Sequence, residues 1–142
     1  MSQHLVLDTN IVLDMLVFRD PRTDALHAAL FEDPVIPDLM WLATAPMREE
    51  LARVLDYPHI AVRVAFHGLQ AAQLLSQFDA RACIVPVAPK APVTCKDPDD
   101  QKFIDLSVSH GATLLSKDKA VLCMRKRLVK LGVVDVGVDW RG

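Results

Sequence analysis

The chain has 142 residues, 51% of them hydrophobic, and a formal net charge of −2. That length suits one domain with a full core, residues 1–142, and no apolar run is long enough to span a bilayer. The balance of charge gives no global pull on polyanions, the N-terminus lacks the basic-then-apolar pattern of a signal peptide, and Cys83, Cys95 and Cys123 lack C-x-x-C spacing, so neither a disulfide framework nor a zinc knuckle is indicated and a soluble, cytoplasmic protein is expected.

Apolar runs alternate with amphipathic stretches throughout, the pattern of βαβ units. Strands are predicted near 4–8, 39–44, 83–88, 112–116 and 133–138, with helices filling most of the gaps. The first strand, Leu5-Val6-Leu7, ends abruptly in Asp8-Thr9-Asn10. A continuous apolar run suits a strand buried on both faces of a parallel sheet, and ligands of such sheets bind beyond the strands' carboxyl ends. Asp8 is therefore expected at the mouth of a site. Further along, Pro46 and Pro98 suit the first turns of helices, where a missing N–H costs nothing, while Gly111 and Gly132 suit helix ends. The stretch from Pro58 to Arg81 is predicted as two helices over one end of the sheet.

Helical phase sorts the remaining acids. Between Met47 and Leu55 the apolar positions Met47, Leu51, Val54 and Leu55 share a face, and Glu50 leans toward it. Glu49, four before Arg53, falls on the solvated side as an ion pair. In Asp97-Pro98-Asp99-Asp100 the first acid is a good N-cap, and Asp99 and Asp100 complement the helix dipole. Asp100 also precedes Ile104 by four and Val108 by eight, extending the apolar stripe toward the sheet, whereas Asp105 groups with Gln101, Lys102 and Ser109 on a polar face and is expected to be solvated. Asp118 follows the fourth strand in Ser116-Lys117-Asp118 and suits a cap as well. Capping alone is a poor account of four acids that all fall at strand ends or on inward helix faces.

Clustered carboxylates must bind protons or a cation, since at about 5 Å and an effective dielectric of about 20 each like-charge pair costs roughly 3 kcal/mol. With no His or Cys among the ligands, the donor set suits a hard ion, Mg²⁺ or Mn²⁺, and ions held this way serve phosphoryl chemistry by activating a water and neutralising the leaving oxygen.

The order Leu7-Asp8-Thr9-Asn10, Glu50-Leu51-Ala52-Arg53-Val54-Leu55, Asp97-Pro98-Asp99-Asp100-Gln101-Lys102-Phe103 and Leu114-Leu115-Ser116-Lys117-Asp118 resembles the PIN domain, in particular its branch of toxins from toxin–antitoxin pairs. The resemblance covers nearly the whole chain. It implies a three-layer α/β/α sandwich with a central parallel five-stranded sheet of order 3-2-1-4-5, a Mg²⁺ or Mn²⁺ cofactor and endoribonuclease activity on single-stranded RNA. It further implies an antitoxin protein as partner and, with the high apolar fraction, a homodimer. Asp8, Glu50, Asp100 and Asp118 match the family's catalytic and metal-binding acids, Asn10 and Ser116 its polar helpers, and Asp97 an auxiliary; Ser116 stands where Thr is commoner. PIN domains also serve in RNA processing, and an intact fold used as a binding module is a third reading.

Other constellations carry less. Asn10 stands where a haloacid-dehalogenase-like phosphatase needs a second Asp, and Ile84-Val85-Pro86-Val87-Ala88 lacks the phosphoacceptor Asp of a receiver domain. Arg125-Lys126-Arg127 and Lys130 are expected to complement the C-terminal end of a helix before Gly132, with Arg19, Lys117 and Lys119 nearer the mouth as phosphate contacts. The five histidines show no metal spacing or evident acidic partner, and Trp41 and Phe66 are expected in the core.

Overall fold

Five short strands build one all-parallel sheet: β1 (Gln3–Leu7), β2 (Leu39–Ala43), β3 (Ala82–Ile84), β4 (Thr113–Leu115) and β5 (Asp135–Gly137), in the order β3-β2-β1-β4-β5. The computed structural model describes residues 3–32 and 38–141. β1 is the central strand, and Leu5, Val6 and Leu7 are buried as expected for a strand covered on both faces.

Helices α1 (Thr9–Leu16), α2 (Asp24–His27), α3 (Ala45–Leu55), α4 (Pro58–Phe66) and α5 (Ala71–Arg81) lie in the crossovers from β1 out to β3. Helices α6 (Gln101–His110), α7 (Lys119–Leu122) and α8 (Arg125–Lys130) lie in those that return to β4 and β5. Right-handed crossovers running outward in opposite directions from β1 put the two groups on opposite faces, which makes the three-layer α/β/α sandwich. Strand order also reverses at the β1/β4 junction, the topological switch point where such sheets open a crevice.

Sequence signals account for most boundaries. Pro46 and Pro98 occupy first turns, and Gly111 ends α6 with φ +60°, where a side chain would be strained. β3 is shorter than the run 83–88 suggests. Val85 still donates its N–H to the Ala43 carbonyl at 2.8 Å, but Pro86 has no N–H and restricts the backbone before it, so the ladder stops.

Three further expectations are corrected. Phe66 is 77% exposed, because α4 buries Ile60 and Val64, and Phe66, two residues beyond Val64, falls on the opposite side with Val62. Trp41, by contrast, is in the core against Phe78. Glu49 and Arg53 are both exposed, and α3 instead pairs Arg48 with Asp79 at 2.7 Å, across to α5, and Glu50 with Lys102 at 3.1 Å. His27 does have an acidic partner, Glu32, at 3.5 Å.

Candidate active site

The carboxyl edge of the sheet assembles the site through backbone bonds that extend the ladder past the strand ends. Asp8 donates its N–H to the Leu115 carbonyl at 2.9 Å, and Ser116 donates to the Gly137 carbonyl at 2.9 Å. These two bonds set Asp8 beside Ser116. The Ser116 hydroxyl then donates to Asp8 Oδ2 at 2.6 Å and accepts the Asp118 N–H at 3.0 Å. Asp118 in turn caps α7, its Oδ1 accepting from the Ala120 N–H at 2.9 Å, so the capping role expected of it is real and leaves its second oxygen available. Asp8 likewise caps α1, accepting from the Asn10 N–H at 3.4 Å.

Asp100 arrives from the other face, in the 3₁₀ turn Pro98–Asp100 that leads into α6. It is 7% exposed, as the inward phase of that helix demands. Asp97, Asp100 and Asp118 each bring a carboxylate oxygen into a group whose members lie within 4.8 Å of one another. Asp8, 4% exposed, is joined to this group through the Ser116 hydroxyl that it shares with Asp118.

Electrostatics follow from this crowding. Burial, the hydrogen-bonding contact with Asp118 and the charges of Asp8, Asp118 and Asp97 push the Asp100 carboxyl up to about 8. Asp118, as the acceptor of that contact, is held below the usual carboxylate range. Burial raises Asp8, opposed by the Ser116 hydroxyl and the Asn10 N–H and reinforced by the charges of Glu50 and Asp118. Asp100 Oδ2 remains buried with no hydrogen-bond partner among the described residues. A buried, unpartnered acceptor between two other carboxylates is costly unless a proton or cation meets it, and three oxygen donors in this spacing fit a hard divalent ion.

A family-model comparison matches residues 4–120 to the PIN domain. The chain belongs to the PIN domain family. Comparison with curated proteins gave no match. PIN domains are generally metal-dependent nucleases, and in this PIN domain the acids quoted from the sequence fall at the sheet edge where ligands of doubly wound folds bind.

The fold distributes those residues unevenly. Asp97, the auxiliary acid of the motif, stands in the tight three-acid group, whereas Glu50 is set apart, receiving hydrogen bonds from Thr9 Oγ1 and, at 3.1 Å, from Lys102 Nζ. The Asn10 side chain is exposed, and Asn10 serves the site through its backbone N–H.

Sequence inspection misses Thr9 and Lys102, the two residues that hold Glu50. Lys102 gives no local signal, because its partner lies 52 positions away. Also missed is Asp14, an acid inside the apolar run of α1, which is buried and paired with Lys117 Nζ at 2.7 Å. A carboxylate in such a run must have a partner, and that is the available clue. Lys117 is thereby tied to α1. Asp105 is not simply solvated, as its polar face suggests: its Oδ1 accepts from the Ala91 N–H and from Gln101 Nε2, both at 2.8 Å, while Gln101 Oε1 accepts the Cys95 N–H at 2.7 Å. Together Asp105 and Gln101 splint the loop that delivers Asp97.

Proposed function

We propose that this PIN domain is a Mg²⁺- or Mn²⁺-dependent endoribonuclease that cleaves single-stranded RNA. The observation that carries this reading is the buried, unpartnered Asp100 Oδ2 within the Asp97, Asp100 and Asp118 group. Asp8, Asp97, Asp100 and Asp118 would hold the ion, with Glu50 at the rim. A bound divalent ion supplies charge neutralisation and a water activated for attack on phosphorus. The protein's own part is orientation and proton handling. Ser116 fixes the Asp8 carboxylate toward the cluster, the α7 cap fixes Asp118, and Asp100 releases its proton as cation density replaces it. Lys102, 26% exposed at the rim, is placed to meet a substrate phosphate without leaving Glu50.

In-line attack by water does not use the 2′-hydroxyl, so the products carry 5′-phosphate and 3′-hydroxyl ends. A role as the toxin of a toxin–antitoxin pair, with an antitoxin protein as partner in the cytoplasm, rests on the resemblance of motif order alone; the alternatives within the fold are RNA processing and a binding module of low turnover. The test is cleavage of a defined single-stranded RNA with Mn²⁺, with product ends mapped. EDTA and Asp8→Asn should each abolish it. Cleavage that persists in EDTA and leaves a 2′,3′-cyclic phosphate would overturn the reading.

A further inference from the structure

Helix α8 carries Arg125, Lys126, Arg127 and Lys130 within six residues. The helix begins at Arg125, so the expectation that these cations complement a helix C-terminus holds for Arg127 and Lys130 and fails for Arg125 and Lys126, which sit at the positive end of the dipole. Stability of the helix does not explain that placement. Arg125 is paired with Asp135 at 2.9 Å, but Lys126, Arg127 and Lys130 are exposed with no ion-pair partner among the described residues.

Beside this face runs a groove of about 870 Å³ lined by Leu122, Cys123, Arg125, Lys126, Val129 and Lys130. Its cations stand around a partly apolar floor, and Val129 is 44% exposed there. Along the chain this face follows directly from the acid mouth, since Asp118 caps α7, and Cys123 and Met124 join α7 to α8. Eight residues separate Asp118 from Lys126, which limits their separation to at most about 28 Å at roughly 3.5 Å per extended residue.

We propose that this groove is a second RNA subsite, gripping phosphates of the strand as it leaves the acid mouth, with Leu122 and Val129 against the sugar and base faces. The proposal rests on the nuclease reading for its direction along the strand. Charge complementarity commits it to a polyanion. In a chain of net charge −2 a local cluster of unpaired cations supplies the field that the molecule as a whole lacks, and alternating phosphates and flat apolar faces are what a groove of cations and aliphatic side chains fits.

The experiment measures binding of a fluorescein-labelled 12-mer oligouridylate by anisotropy in EDTA across a salt series, so that it needs no turnover. For Lys126→Gln/Arg127→Gln/Lys130→Gln, 12-mer affinity should fall at least fivefold near 0.1 M salt. The salt slope should flatten by about 2, because each phosphate that a cation neutralises on a single strand adds roughly 0.7 to it. Arg53→Gln/Arg81→Gln, on α3 and α5, should leave the slope as it is. Lys130→Gln alone should show a smaller change of the same sign and serves if the triple variant does not fold. An unchanged 12-mer slope overturns the subsite, as does tighter binding of a poly-glutamate peptide than of RNA. Wild-type binding with this dependence but no Mn²⁺-dependent cleavage would leave the subsite standing and sink the nuclease reading.

Discussion

Lys102 Nζ lies 3.1 Å from Glu50 Oε1, so the acid of α3 meets a fixed ammonium before it meets the other carboxylates. The pair keeps one negative charge from adding fully to the repulsion among Asp8, Asp100 and Asp118. Replacing Lys102 with Met should expose that charge to the site. Divalent-ion affinity should then rise roughly three- to tenfold while the metal-free protein melts lower, both read by calorimetry. Unchanged Mn²⁺ affinity would mean that Glu50 is too far from the ion to matter.

Asp100 sets the pH dependence. Its carboxyl is pushed up to about 8 in the folded protein against an ordinary value of 3.8, so between these limits the folded state holds a proton that the unfolded state has released. Stability of the metal-free protein from this group is therefore fully present below about pH 4 and is lost as pH rises toward 8. Asp100→Asn should flatten that decline and raise the melting temperature at about pH 8. In the wild type, Mn²⁺ binding near pH 7 should release close to one proton, measured by titration in buffers of different ionisation enthalpy.

Ser116 joins two acids through one hydroxyl. Ser116→Ala removes a donor from buried Asp8 and an acceptor from the Asp118 N–H; the cost should be about 1–3 kcal/mol in urea unfolding, with activity reduced at least tenfold. Ser116→Thr keeps both bonds and should retain activity. A fully active Ser116→Ala enzyme would show that the Asp8 orientation is set elsewhere.

Inward and outward acids of the same helices should separate in activity. Asp8→Asn and Asp100→Asn should lose RNA cleavage by two orders of magnitude or more with the fold intact by circular dichroism, and Glu49→Gln, exposed on α3, should change it less than twofold. Asp105→Asn should be intermediate. It weakens two hydrogen bonds that hold the loop before Asp97, which should cost about 1–2 kcal/mol of stability and several-fold in activity.

The apolar side chains left exposed on α4, Val62 at 66% and Phe66 at 77%, keep the expected homodimer a concrete proposal. Light scattering at micromolar concentration should give twice the chain mass. A strictly monomeric mass at that concentration would remove it.

The strands and the inward acids are legible in the sequence because each signal is local. Leu5-Val6-Leu7 followed by Asp8 is written in consecutive residues, and Asp100 is placed by its phase against Ile104 and Val108. Pro86 is equally local and marks where β3 must end. Pairing across the fold leaves no such trace. Lys102 with Glu50, Lys117 with Asp14 and Asp105 with the Ala91 N–H join residues that share no helix turn, except that Gln101 and Asp105 do sit at i,i+4. Phase says which way a side chain points but not what waits there.

The hydrogen bond from Ser116 to Asp8 spans 108 positions of sequence. Both flanking ladder bonds, Asp8 to Leu115 and Ser116 to Gly137, also reach into the last quarter of the chain. During synthesis, then, the first acid emerges from the ribosome long before the residues that orient it, and β5 must follow before Ser116 is anchored. With its acids and the hydroxyl that orients them divided between position 8 and positions 116–118, the site cannot take shape until both stretches have been made.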